Sequence, residues 1–274
     1  MSPKKKIAEA YRSWLDAVNR QDTEGIHKLL SDSIVYNGDT TFSKADYIGH
    51  MTETLPEFSI DHRIDLDMLT VNNDASALAA RLIHQATLSD QRVEWPEHIF
   101  IWFNADGKIS RIQTLIDLDA LHSDTPSVPL PRTSHTNPST LPPGSDLPAM
   151  YRAYIHAINT HTMTEHFPLY CHPSVTHNAR ALSLGEYGGF IEDSFGEIRG
   201  LSFTVREIVA DDDAQYVAAR LEFTGTPVSE FRGIRPNGRA VRFWEHVLYG
   251  LDGGRISWVW SLLDLEAFRR CLEG

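Results

Sequence analysis

Apolar residues open the chain at helical spacing. Ile7, Tyr11, Trp14, Leu15 and Val18 recur at intervals of three and four, which predicts a helix with one apolar face. Ile26, Leu29 and Leu30 predict a short second helix, and Ser43-Lys44-Ala45-Asp46 has the form of a capping box that opens a third. The period then changes to two. Phe58, Ile60, His62, Ile64, Leu66 and Met68 alternate with mostly polar neighbours, the mark of a half-buried strand. After a turn at Asn72-Asn73-Asp74, strands are predicted over 77–87, 92–103 and 108–116, the last two joined by the hairpin Asn104-Ala105-Asp106-Gly107. Helices followed by an antiparallel meander make an α+β domain.

The same pattern then runs a second time. Tyr11-Arg12-Ser13-Trp14 returns as Tyr151-Arg152-Ala153-Tyr154, and Val18-Asn19 as Ile158-Asn159. Ala79-Ala80-Arg81-Leu82 returns as Ala218-Ala219-Arg220-Leu221, Glu97-His98 as Glu245-His246, and Ile116-Asp117-Leu118 as Leu263-Asp264-Leu265. A period this long makes each copy a whole domain rather than a solenoid unit. Copy 2 has its own capping box at Ser183–Glu186, a turn at Asp211-Asp212-Asp213, strands over 214–224, 240–249 and 255–263, and a final helix over 266–272. Between the copies, prolines from Pro126 to Pro148 lie among Ser and Thr without apolar periodicity, which reads as a semi-extended tether. The organisation is domain 1 at 1–122, a linker at 123–146 and domain 2 at 147–274.

The late strands are apolar on both sides, with Phe243, Val247 and Tyr249 on one and Trp244 and Leu248 on the other. A sheet of this kind needs two covers. The expectation is that the helices of each domain supply one and the sheet of the sister copy the other, giving an intramolecular pseudo-dimer in a monomeric chain.

Charge and composition narrow the partners. The chain has 274 residues, 42% of them hydrophobic, and a formal net charge of −12, which repels nucleic-acid backbones and anionic membranes. Lys4-Lys5-Lys6 reads as the solvated start of a helix behind Ser2-Pro3. No apolar run has the length of a membrane span, and two cysteines, Cys171 and Cys271, fit a reducing cytoplasmic setting. The 13 histidines form no ligand spacing on one element among carboxylates; His156, His161 and His166 are each five apart. Without a Gly-rich phosphate loop, a Gly-x-Ser-x-Gly elbow or a Cys–His signature, neither metal nor cofactor is expected.

Copy 2 resembles a known family. Residues 217–226, the loop Phe231-Arg232-Gly233-Ile234-Arg235-Pro236-Asn237-Gly238-Arg239, and Asp252-Gly253-Gly254-Arg255-Ile256 followed by Trp260 and Asp264 are similar to the SnoaL-like polyketide cyclase pattern of the nuclear transport factor 2-like superfamily. Copy 1 follows the pattern more loosely and lacks the loop. The resemblance implies a cone in which a curved sheet wraps a mostly apolar pocket beneath the helices. It also implies cofactor-free chemistry on a small-molecule substrate: aldol cyclisation, ketosteroid-type isomerisation or epoxide hydrolysis, with binding alone known among members. A tandem pair with a Pro-rich linker is similar to fungal secondary-metabolism enzymes.

Such chemistry needs an acid or base in an apolar pocket, where burial moves its pKa toward working pH. The catalytic candidates are His246, Glu245, His177 and Asp264. Strand alternation sends Glu245 and His246 to opposite faces, one toward the pocket and one away. Asp264 follows on the parity of Ile256, Trp258 and Trp260, and as a strand-end residue it serves equally well as a helix cap. Tyr151, Asn178, Glu222, Trp258 and Trp260 are candidates to bind substrate, the tryptophans having core packing as their ordinary alternative. In copy 1 the polar candidates are Asn37, His84, Glu97, His98, Gln113 and Asp117. Tyr36 stands where copy 2 has His177, and Gln113 where it has Trp260, so the pockets differ chemically and copy 2 is the better candidate for activity. The most direct reading is an acid/base cyclase or isomerase of polyketide- or terpenoid-like compounds.

Overall fold

The computed structural model describes residues 1–38, 40–54, 61–88, 90–121, 130–133 and 138–273. The chain divides into two compact units, Met1–Ser134 and His135–Gly274, each with its own six-stranded sheet. Unit 1 runs α1 (Pro3–Asn19), α2 (Thr23–Leu29), β1 (Leu30–Tyr36), β2 (Thr40–Ser43), α3 (Lys44–Thr54), β3 (Arg63–Val71), β4 (Ala77–Leu88), β5 (Gln91–Phe103), β6 (Ile109–Ile116) and α4 (Leu118–Leu121). Unit 2 repeats it as α5 (Leu147–Asn159), α6 (Met163–Tyr170), β7 (Cys171–His177), β8 (Arg180–Ser183), α7 (Leu184–Glu197), β9 (Ile198–Asp211), β10 (Tyr216–Pro227), β11 (Val241–Asp252), β12 (Arg255–Leu263) and α8 (Leu265–Glu273).

The two sheets share one topology, β2-β1-β6-β5-β4-β3 and β8-β7-β12-β11-β10-β9. Only β1–β6 and β7–β12 pair in parallel among the described strands; the other neighbours are antiparallel. The repeated asparagines explain part of the sequence echo. The Asn19 amide donates to Ile64 O at 2.9 Å and accepts from Ile64 N at 2.8 Å. Asn159 makes the same pair of bonds to Phe203, at 2.8 and 2.9 Å. Each clamps the C-terminus of the first helix to the outermost strand, whose peptide groups lack a ladder partner on that side. Ser183 and Glu186 complete the capping box of α7, and Ser43 Oγ accepts from Asp46 N at 3.1 Å at the start of α3.

The structure departs from the sequence pattern where strands bulge. Leu30 opens β1 rather than closing α2. Phe58 and Ile60 lie outside the described residues. Within β3 the register shifts between Leu66 and Met68: Leu66 pairs with Leu82, whereas Met68 pairs with Arg81 on the opposite face. Strict alternation put Leu66 and Met68 together, and the extra residue separates them. A second bulge lies between β11 and β12, where Gly250 pairs with Trp258 but Leu251 with Ile256. Ile256 therefore packs inside domain 2 while Trp258 does not. A Cβ on Gly250 would stand 1.9 Å from the Trp258 ring, so glycine is what lets the indole lie across the strand.

The described parts of the proline-rich segment are tied down. Leu130 N donates to the Glu94 carboxylate at 2.8 Å, and Thr133 N and Oγ1 donate to Asp67 at 2.9 and 2.6 Å. Asp67 also holds buried Arg81 at 2.6 Å. In unit 2, Ser139 N donates to Asp252 at 2.5 Å. No helix among the described residues is long and apolar enough to cross a membrane.

Candidate functional site

The interior of domain 2 is built around one carboxyl group. On β11, Glu245 pairs with Leu221 and Leu263 and shares its face with Phe243, Val247 and Tyr249, all packed in the domain core. Glu245 is half-buried. Ser261 Oγ on β12 donates to its carboxylate. Burial pushes the Glu245 pKa up to about 7, against the opposing pull of the Ser261 hydrogen bond and the Arg232 charge.

Four tyrosines from three elements close around this face, all of them buried: Tyr151 and Tyr154 on α5, Tyr187 on α7 and Tyr249 on β11. The Tyr154 and Tyr187 hydroxyls are 2.7 Å apart, and Tyr151 Oη donates to Tyr249 Oη at 3.4 Å. Burial raises all four phenols, and the Glu245 charge adds to the rise at Tyr151, Tyr187 and Tyr249. His177 ends β7 on the inward face, its ring 5.0 Å from Phe190 and 6.0 Å from Tyr187. Burial, then the Arg232 charge, lowers its pKa to about 4, so it is neutral at pH 7. Arg232 itself has a left-handed backbone, φ 50°, ahead of Gly233 at φ 80°, and its guanidinium sits 5.1 Å from the Phe190 ring. It is an exposed cation whose field reaches both His177 and Glu245.

The other candidates fall elsewhere. His246 pairs with Arg220 and Leu262 on the opposite face of the sheet, with Trp244, Leu248 and Trp260. Arg220 lies 3.5 Å over the Trp244 ring on that same face. Trp258 joins it there because of the bulge, so neither tryptophan lines the interior. Glu222 is held on that face by Arg206 and Arg242, each at 2.9 Å. Asp264 accepts from Ala267 N at 2.8 Å and caps α8, with burial holding its carboxyl above the usual range. Asn178, at φ 45°, donates to Ser261 O and accepts from Ser261 N, stitching the turn after β7 to β12.

Domain 1 repeats the frame with different chemistry. Glu97 is the inward carboxyl of β5, and Thr114 Oγ1 donates to it as Ser261 does to Glu245. Here, however, His84 Nε2 stands 2.6 Å from Glu97 Oε2, and His84 Nδ1 is 3.0 Å from His62 Nε2. Trp95 stacks on both imidazoles, 5.2 Å from His84 and 5.7 Å from His62. Burial, then the neighbouring His84, lowers the His62 pKa to about 4. His98 and Gln113 lie on the opposite face, as the pairing of Phe100 with Gln113 and of His98 with Arg81 requires. Asp117 caps α4 through Ala120 N at 2.9 Å, and Asn37 accepts from Thr114 N at 2.7 Å.

Comparison with known families agrees with this doubled frame. Residues 149–272 match the family model of the SnoaL-like polyketide cyclases, and residues 11–112 match that of the SnoaL-like domain. The chain is a tandem pair of SnoaL-like domains. Among solved structures it is similar to a SnoaL-like polyketide cyclase from Agrobacterium tumefaciens str. C58, at 35% identity over 46% of this chain and 97% of that one, TM-score 0.44. IdmH, a putative polyketide cyclase from Streptomyces antibioticus, is 18% identical over 47% and 100%, TM-score 0.42. AclR, a putative hydroxylase from Streptomyces galilaeus, is 18% identical over 46% and 95%, TM-score 0.39. No curated protein matches the chain.

The second SnoaL-like domain also carries a groove of about 490 Å³ between α6 and α7, lined by His161, Met163, Phe167, Pro168, Gly188 and Glu192. Phe167 is buried and lies 5.2 Å from the Tyr154 ring and 5.8 Å from Tyr187, so it stands between the groove and the tyrosines. Sequence reasoning missed Ser261, Tyr187, Tyr249 and Arg232. A signal existed for the first: a hydroxyl residue sits three positions before the capping Asp in both SnoaL-like copies, as Ser261 and as Thr114. Arg232 belongs to a loop that copy 1 lacks, so comparison of the copies says nothing about it.

Proposed function

We propose that domain 2 is a cofactor-independent cyclase or isomerase that moves a proton on a small, mostly apolar polyketide- or terpenoid-like substrate. The family supports a cyclase-type enzyme in general terms. The finer reading rests on one observation: a single carboxyl, Glu245, enclosed by apolar rings and tyrosine hydroxyls, with its pKa lifted to about 7. A base of that strength takes a proton from the carbon beside a carbonyl and returns it at neutral pH without a large penalty in either state. Tyr151 and Tyr249 are the donors for the oxygen on which negative charge develops, the service an oxyanion hole performs. Neutral His177 and the Arg232 cation act at the inward face nearest the loop. Atoms and electrons balance within the substrate: the C–H bond breaks, its pair forms the enolate, and the same proton goes back to another atom.

The test uses 2-tetralone, an apolar ketone with exchangeable α-protons, in deuterated buffer. The intact chain accelerates deuterium uptake, with a component of the rate that rises through pH ~7, and Glu245→Gln removes that component by about 10²-fold or more. Binding of 2-tetralone with no accelerated exchange would favour a passive ligand carrier.

A further inference from the structure

We propose that domain 1 holds a second proton-transfer site, in which Glu97 is the base and Tyr11 and Trp14 bind the carbonyl or enol oxygen of an apolar ligand. Two independent observations support it. The first is the side-chain line of Thr114, Glu97, His84 and His62, in which both Glu97 oxygens are engaged, Oε1 by Thr114 and Oε2 by His84. A buried carboxylate–imidazole line of this kind holds the carboxylate in one orientation, as a catalytic base requires.

The second observation is a pair of donors left over. Tyr11 Oη and Trp14 Nε1, one helical turn apart on α1, are buried and have no hydrogen-bond partner among the described residues. Their counterparts in domain 2 are satisfied: Tyr151 reaches Tyr249, and Tyr154 reaches Tyr187. In domain 1 the strand position of Tyr249 is Ile101, and its pairing with Ile112 on the inward face supplies no acceptor. A buried donor without a partner costs about 1–3 kcal/mol, so two on one helix face point to an acceptor that arrives with a ligand. Tyr11 is close enough to Glu97 for the carboxylate charge to act on it, as are Tyr36 and Tyr47.

The step needs no co-reactant. Glu97 takes the proton from the carbon beside the ligand carbonyl, that C–H bond breaks, and its electron pair becomes the enolate. The enolate oxygen accepts hydrogen bonds from Tyr11 and Trp14. Glu97 then returns the proton to the same or a neighbouring position. His84 and His62 are positioning residues, holding the carboxylate from behind. Domain 2 has no such support, since Phe223 and Phe243 occupy the places of His84 and Trp95 and pack edge to face at 5.1 Å.

The test is made in the full chain, in the Glu245→Gln background, so that it succeeds or fails separately from the site in domain 2. Deuterium uptake by 2-tetralone continues above the buffer rate in that single variant and falls about 10²-fold on adding Glu97→Gln. Adding His84→Phe, the residue domain 2 carries there, lowers kcat for uptake about tenfold and leaves the KM for 2-tetralone unchanged, because the hydrogen bond that orients the carboxylate is lost. A purely structural role for His84 would raise KM along with the loss of kcat, and that result overturns the positioning role. Equal uptake in Glu245→Gln and Glu245→Gln/Glu97→Gln, or uptake at the buffer rate in Glu245→Gln that retains its circular dichroism, overturns the proposal.

Discussion

Replacing Glu245 with Gln should make the protein more stable above neutral pH while removing the domain 2 chemistry. The carboxyl has a pKa of about 7 in the fold against a reference of 4.5. Between those two values the folded state holds a proton that the unfolded chain has released, so stability falls as pH rises through the window. Below pH 4.5 both states are protonated and nothing is lost; above pH 7 the loss is complete. A separation of 2.5 units, each worth 1.36 kcal/mol, comes to about 3 kcal/mol. Gln keeps the oxygen that accepts from Ser261 and never ionises, so it escapes that cost. Urea unfolding followed by tryptophan fluorescence, for both proteins at pH 4.5, 6 and 8.5, isolates the effect, because every other titrating group cancels in the difference. The variant should match wild type at the lowest pH and gain up to about 3 kcal/mol at the highest. A difference that stays constant across the three pH values would refute the reasoning, since a packing defect has no such dependence.

Three further outcomes follow from the same geometry. His177, depressed to about 4, must stay neutral in the fold, so its own contribution is lost as pH falls from 6.5 to 4. In the same urea assay His177→Gln should gain up to about 3 kcal/mol relative to wild type between those pH values, the opposing Glu245 contribution cancelling in the difference. His246→Ala should cost stability, about 1–3 kcal/mol for a buried polar group removed, yet leave 2-tetralone exchange within a few-fold of wild type; a fall of 10²-fold would return the histidine to the chemistry. Asn159→Ala leaves both peptide groups of Phe203 unpaired on the outermost strand, so about 1–3 kcal/mol should be lost and the Phe203 amide should exchange faster by NMR.

The fold was legible because hydrophobic periodicity reports which face of an element is buried, and it does so twice here. The helix face of Ile7, Tyr11, Trp14, Leu15 and Val18, the capping boxes at Ser43 and Ser183 and the Asp117 and Asp264 caps need only local spacing. Parity failed wherever a strand gained a residue. Ile256, Trp258, Trp260 and Asp264 look equivalent on paper, but the bulge opposite Gly250 sends Ile256 inward and the two tryptophans outward. Nor could alternation choose between Glu245 and His246; that choice needs the neighbouring strands, where Leu221 and Leu263 flank the glutamate from the core face. Tyr187 was invisible for another reason. It reaches Tyr154 across two helices, and that contact depends on tertiary packing rather than on any spacing within one element.

What separates the two domains chemically is a small set of substitutions around one shared glutamate. In domain 2 its strand neighbours are Phe223 and Phe243, and the space beneath holds the Tyr249 hydroxyl; the carboxyl is left with one serine donor in apolar surroundings, which is why burial dominates. In domain 1 the same positions carry His84, Trp95 and Ile101; the carboxyl gains an imidazole donor and the helix above loses the phenol that would satisfy Tyr11. One exchange moves polarity behind the carboxylate, the other strips it from in front. Both copies carry an inward glutamate with a hydroxyl donor on the next strand. Taking a carboxyl out of water is costly unless it is paired, so the two proposals stand or fall on what each glutamate does with a ligand rather than on the fold they share.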